Sequence, residues 1–223
     1  RIRSLFGAIP KRKIERPLVR PEPTQRGERR VQLNGQGETA YLQVAYHAPA
    51  ATDPDFFPML VLDSILAGAS ALNLFGGGIS NKTSRLYRAL VLTELAAGFS
   101  GSLAATVDPY LYSITCAVRS DNTLENVEAA LDQEMDRAMT TTPTSEEMEK
   151  AKKQARAMFA YSAESVSNLG FWYGFAEILD QYTWFTNYLD RLNAVTATDV
   201  QRVAQNVLTN SNRTVGHYIP RAN

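Results

Sequence analysis

The chain is predicted to be an α+β protein, an antiparallel β-sheet layered with helices, and three observations carry that assignment. Short alternating polar and apolar segments lie before residue 50, around residue 110 and at the C-terminus. A block of helical periodicity runs from residue 123 to about 208. The resulting order, β-β-α-α-β-β-α-α-α-α-β, sets strands beside strands and keeps helices together, unlike the strict alternation of a doubly wound parallel sheet. Over 223 residues the hydrophobic share is 44% and the charged share 21%, which suits an ordinary globular chain able to bury a core. No apolar run approaches the roughly 20 residues of a membrane span.

Taken in order, the chain opens with Ile2, Leu5, Phe6 and Ile9, spaced like the last turn of a helix belonging to a preceding unit. The absence of an initial Met or signal pattern likewise predicts a segment of something longer. Net charge is zero, yet residues 1–30 hold ten Lys/Arg against three Asp/Glu. With Pro10, Pro17, Pro21 and Pro23 and no periodic apolar pattern, residues 1–27 are predicted to be an extended linker or hinge leading into an α+β domain at 28–223. A nucleic-acid arm would interleave aromatic side chains with the basic ones, and this segment does not.

Glu28 to Leu33 and Thr39 to His47 alternate in strand fashion around Gly35 and Gly37. Phe56 to Ala67 has helical spacing and stops at Gly68, with Asp55 the preferred N-cap because it places Pro58 in the first turn. Residues 96–106 and 110–119 read as a strand pair joined through Asp108-Pro109. Thr123 to Met139 is an amphipathic helix with Leu124, Val127, Leu131 and Met135 on one face. Thr144 opens the next helix, with Glu147 completing a capping box. Helical character continues to about Leu192, with interruptions expected around Gly170 and Gly174. A last helix follows Thr196, over Asp199 to Leu208, and Arg213 to Ile219 forms a closing strand. Ten aromatic residues, both Trp included, fall between Phe159 and Tyr188; at helical spacing they are expected to pack the core.

Candidate chemistry is sparse. Zinc hydrolysis requires converging His, Cys or carboxylate ligands and a carboxylate base. The histidines, His47 and His217, sit on different predicted strands, neither within HxxEH, so no metal ligand and no catalytic residue is assigned. Cys116 in its alternating segment reads as a small buried hydrophobe. The acidic pairs Glu125/Glu128 and Glu146/Glu147 are expected on solvated helix faces. Gly76 to Thr83, GGGISNKT, approaches the phosphate-binding pattern GxxxxGK[ST], but Asn81 replaces the second fixed glycine and a helix, not a strand, precedes it. A nucleotide site is therefore the weakest of the functional alternatives. The most informative segment is FGGGISNKTSRLYRALV, Phe75 to Val91, which joins a glycine turn to a helix whose apolar face is Leu86, Tyr87, Leu90 and Val91. Arg85 and Arg88 are expected near the opposite side.

Several of these segments together resemble the second, zinc-free half of the insulinase/pitrilysin-type metallopeptidases, a family that includes the mitochondrial processing peptidase and the core proteins of the respiratory bc1 complex. They are AYHAP from Ala45, VLDSILAG from Val61, GGG followed by SRLYRALV from Ser84, DPYLYSI from Asp108, TSEEMEKAKKQ from Thr144 and VTATDVQRVAQNVL from Val195. The resemblance covers nearly the whole chain, including the Pro-rich segment as the hinge between halves. It implies a LuxS/MPP-like metallohydrolase fold and a non-catalytic domain that closes over a separate HxxEH-bearing half to form a peptide-binding chamber. That homologous half, on the same chain or on a partner subunit, is then the holder of zinc; this segment needs no cofactor of its own. A homodimer, or a purely structural assembly subunit, is the alternative arrangement. Many members contribute an Arg and a Tyr within a pattern like RxKxGLAY; aligned on Leu95-Ala96, those positions are Leu90 and Ala97, so the pair is missing. Peptide contacts then fall to Gly76, Gly77 and Gly78, to Arg85 and Arg88, and to the strand around Ala96 to Ser102.

Overall fold

A computed structural model describes residues 1–10, 22–69 and 82–221. Residues 11–21 of the predicted hinge and the glycines Gly76, Gly77 and Gly78 lie outside the described residues, as does most of GGGISNKT. A short helix α1 (Ile2–Phe6) is followed by strands β1 (Arg29–Gln36) and β2 (Tyr41–Ala48), helix α2 (Phe56–Leu66), a π-helical turn (Tyr87–Val91), and strands β3 (Ala96–Leu103) and β4 (Tyr110–Val118). Helices α3 (Leu124–Thr140), α4 (Ser145–Ser162), α5 (Val166–Leu179), α6 (Thr183–Thr186), α7 (Tyr188–Ala194) and α8 (Ala197–Val207) then lead to strand β5 (Arg213–Arg221).

The five strands form one sheet in the order β1-β5-β2-β4-β3. Three of its pairs are antiparallel, as expected, whereas β1 and β5 run parallel and β5 inserts between the consecutive strands β1 and β2. Strand period 2 decides the faces. Leu42, Val44 and Tyr46 of β2 and Tyr112, Ile114 and Cys116 of β4 are at most 1% exposed and meet the helices, with α3 on β2 and β4, α8 on β2 and α2 on β3. Cys116 is thus a core residue whose thiol burial pushes up to about 12. Gly101 on β3 is required by this packing, since a Cβ there would run into Ala67 and Asp63 at the end of α2.

Local sequence sets most boundaries. Thr123, Ser165 and Thr196 each accept a bond from the backbone N–H three residues on, and Thr144/Glu147 forms the predicted capping box. A second box, Thr196/Asp199, starts α8 two residues before the expected Asp199. One expectation fails and another holds in position only. The helical block does not break at Gly170 or Gly174, which lie inside α5; it breaks at residues 163–165, where the Ser165 cap restarts the helix. Asp55 is the N-cap of α2, as expected, but without a side-chain cap bond: its carboxylate accepts from Arg202 at 2.7 Å, and the Asp53 carboxylate takes the Asp55 N–H. Among the described residues no helix is long and apolar enough to cross a membrane.

Candidate functional site

The face of the sheet opposite the helices is the surface open to a ligand. Register places Gln43 opposite Thr115 and Gly216, Ala45 opposite Ser113 and Thr214, and Ser100 and Ser102 opposite Thr115 and Ser113. All are half-buried or exposed, and the centre of the face is small and uncharged. His47 stands at one end, its Nδ1 3.0 Å from Asn212 Oδ1, while Asn212 Nδ2 donates to the His47 carbonyl. The packed backbone reaches back to Gln25, which is 8% exposed and donates to the Arg213 carbonyl at 2.7 Å.

The two histidines cannot share a metal. His217 pairs with Leu42, a core position on the helix side, and its Nε2 lies 2.8 Å from Glu128 Oε2, whereas His47 belongs to the opposite face. Among the described residues no group of three or more His, Cys, Asp or Glu could hold a metal ion. The described residues therefore do not fit a zinc centre.

Of the residues singled out for peptide contact, Arg85 is held in an ion pair. Only 5% exposed, it turns inward and grips Glu147 with two bonds, Nε to Oε1 at 2.7 Å and Nη2 to Oε2 at 2.9 Å. This pairing across 62 residues is invisible to local periodicity, and it also takes Glu147 off the solvated face where it was expected. The Arg85 guanidinium holds the Glu147 carboxyl down at about 2. Arg88 is exposed; with Lys150 it donates to the Thr83 carbonyl, at the lip of a cleft of about 240 Å³ lined also by Arg137 and Thr144. Leu86 and Leu90 are fully buried, and Tyr87 and Val91 half-buried, so the predicted apolar face holds.

Leu90 and Ala97, the positions that the resemblance gives to the Arg/Tyr pair, stand in different surroundings. Leu90 is core and Ala97 is exposed at the β3 irregularity between Ala96 and Gly98. Glu94, which falls on the glycine of RxKxGLAY, has φ +61° and is the one non-glycine residue with positive φ among the described residues. A side chain there carries left-handed strain of about 1–2 kcal/mol. Glu94→Gly is accordingly expected to stabilise by about 0.5–1 kcal/mol after the added chain entropy of glycine is deducted. A thermal melt that falls instead of rising would show that the position is unstrained.

Sequence reasoning missed a charge cluster on the helix side. Glu128, expected in solvent, is 7% exposed and accepts bonds from Arg30 of β1, Arg213 of β5 and His217. Arg213 also reaches Asp132 at 2.9 Å and lies 3.5 Å from Glu28. Burial works to raise the Glu128 carboxyl, but the bonds from Arg30 and His217 and the charges of Arg30 and Arg213 hold it below its ordinary value. The available signal was the strand period, which puts Arg213 and His217 on the same side as core residue Val215 and so demands an anion beneath them.

Comparison with known proteins agrees with this architecture. No curated protein sequence matches the chain. A protease from Helicobacter pylori superposes with a TM-score of 0.83 at 18% identity, over 98% of this chain and 51% of that one, so the chain spans about half the length of that protein. An inactive peptidase domain from Bordetella parapertussis gives 0.72 at 26% identity, over 86% of this chain and 96% of that one. A chain of complex III2 from Candida albicans gives 0.68 at 12% identity, over 85% and 45%. With the peptidase M16 inactive domain model matching residues 1–155, the chain belongs to the peptidase M16 family as one of its inactive domains.

Proposed function

We propose that this domain, residues 28–223 behind a hinge at 1–27, forms the non-catalytic wall of a peptide chamber and closes over a homologous zinc-bearing half of an endopeptidase. The observation that carries the proposal is the helix-free sheet face, whose uncharged centre leaves room for an extended peptide backbone without offering any hydrolytic group. Zinc and the general base belong to the companion half, and this domain contributes shape and backbone polarity. With Leu90 and Ala97 at the Arg/Tyr positions it supplies no charged group to the reacting carbonyl. The glycines Gly76 to Gly78 remain part of the proposal as a place where a peptide could approach the backbone closely.

The test uses the assembled two-half enzyme. Ser113→Trp fills the centre of the open face, and Gly77→Val adds a Cβ and restricts φ in the glycine turn. Each is expected to lower kcat/KM for peptide cleavage by about tenfold, corresponding to about 1.4 kcal/mol of lost transition-state binding, with little change in melting temperature. Trp172→Ala, at a site 2% exposed, should reduce cleavage only as far as it unfolds the protein. Full activity in Ser113→Trp and Gly77→Val would remove the sheet face and turn from the chamber. A parent assembly in which no half carries HxxEH would favour a structural subunit instead.

A further inference from the structure

The cleft between α2, α4 and the turn that begins at Tyr87 holds more hydrogen-bond donors than the fold uses. Ser64 of α2 lines it at 4% exposure, and its Oγ has no hydrogen-bond partner. A buried hydroxyl in that state is unfavourable until something else bonds to it. Ser84, 6% exposed, lines the same cleft; its Oγ accepts the Tyr87 N–H at 3.2 Å and keeps its own proton to donate. Arg85, 5% exposed, gives Nε and Nη2 to Glu147, and Nη1 stands outside that pair.

The charge around these donors is positive. Arg85 and Glu147 neutralise one another, which leaves Arg88, Arg137 and Lys150 against Glu146 among the lining residues. Arg137 also lies 3.6 Å from Glu134, and counting that carboxylate as well still leaves an excess of positive charge. The first turn of α4, which begins at Ser145, forms part of the same wall, and a helix N-terminus favours an anion.

Shape separates the kinds of anion. A planar carboxylate is satisfied by one edge of a guanidinium, as Glu147 is by Arg85. The remaining donors come from α2, α4 and the segment before Tyr87, so they approach from several sides and suit a tetrahedral group with more oxygens to share. A phosphate monoester carries roughly 1.5–2 negative charges at pH 7 and three strong acceptor oxygens. At about 240 Å³ the cleft is smaller than the roughly 300–1,000 Å³ of pockets for drug-sized ligands, which admits a compact molecule and not a nucleotide.

We propose that this cleft is a binding site for a small phosphate monoester, held by Arg88 and Lys150 at its lip and by the hydroxyls of Ser64 and Ser84 and Arg85 Nη1 within. The site stands whether or not the open sheet face takes a peptide.

The intact protein is titrated by calorimetry at constant ionic strength with glycerol phosphate, inorganic phosphate and succinate. Glycerol phosphate is expected to bind saturably and more tightly than inorganic phosphate, since the cleft has room for its organic part, and succinate about tenfold more weakly than either. Arg88→Gln/Lys150→Gln should weaken glycerol phosphate binding by about tenfold or more. Ser64→Ala, which removes only an unpartnered hydroxyl, should weaken it about fivefold while the melting temperature without ligand stays the same or rises. Should the double variant fail to fold, Ser64→Ala carries the test alone. No saturable binding of glycerol phosphate, or binding unchanged in the folded variants, overturns the site. Succinate binding as tightly as glycerol phosphate, or inorganic phosphate binding where the ester does not, overturns the assigned ligand class.

Discussion

Replacing Trp184 with alanine is expected to destabilise the protein by about 3–5 kcal/mol, seen as a drop in melting temperature of about 6–20 °C for a chain of this size. Trp184 is 1% exposed, and its ring lies about 6 Å from those of Phe56, Phe57 and Tyr188. It joins α6 and α7 to the start of α2 at the point where the helical layer folds back on itself. Its Nε1–H also donates to the Ala51 carbonyl at 2.8 Å, while the Ala51 N–H is bonded to the Thr106 carbonyl, so one side chain fixes the loop between β2 and α2. Trp184→Phe keeps most of the apolar area and forfeits the bond, which should cost about 1–3 kcal/mol. A Trp184→Ala melt within 2 °C of wild type, about the shift expected from under 1 kcal/mol, would mean that the aromatic cluster is not part of the cooperative core.

A comparable loss, about 3–5 kcal/mol, is expected for Glu128→Ala, because removing one member of a buried ion cluster strands the others. Arg213 is 4% exposed and would retain Asp132 and the more distant Glu28 as its acidic neighbours, while His217 would lose the carboxylate beside its Nε2. Adding Arg213→Met to Glu128→Ala should recover part of the loss, since the stranded charge is then gone. If the double variant is less stable than the sum of the single ones predicts, the cluster acts through packing and not through charge.

The same carboxylates set the acid limit. Glu147 is held at about 2 by the Arg85 guanidinium, and Glu128 is held below its ordinary value by Arg30, His217 and Arg213 against the opposing effect of burial. Both groups have folded values below their unfolded ones, so their stabilisation is complete above the unfolded carboxylate range, about pH 4–5. It is lost progressively as pH falls toward the folded values, about pH 2 for Glu147. Glu147→Gln should therefore flatten the dependence of the melting temperature on pH below about 5, and an unchanged slope would show the pair to be energetically silent.

How much was legible follows from the range of each interaction. The alternation of β2 and β4, the Thr144 capping box and the stop at Gly68, whose φ is +102°, are properties of neighbouring residues and appear in the structure as read, whereas β1 is exposed nearly throughout. The Gly170 and Gly174 breaks did not appear, because a weak local preference yields when Trp172, Ala176 and Leu179 bury one side of a continuous helix. Arg85 and Glu128 were misplaced for the converse reason: their partners lie 62 and up to 98 residues away, and a helical wheel cannot show a charge arriving from a distant strand.

By itself the sequence determined the α+β class, most element boundaries, the absence of an HxxEH motif and the likeness to the zinc-free half of a metallopeptidase, since each rests on local pattern or residue inventory. Only the tertiary structure decided which strands are neighbours, with β5 entering between β1 and β2. It also put His47 and His217 on opposite faces, drew Arg85 and Glu128 inward, and left one sheet face uncovered. Those outcomes depend on contacts between segments far apart in the chain, where burial and charge pairing outweigh local preference.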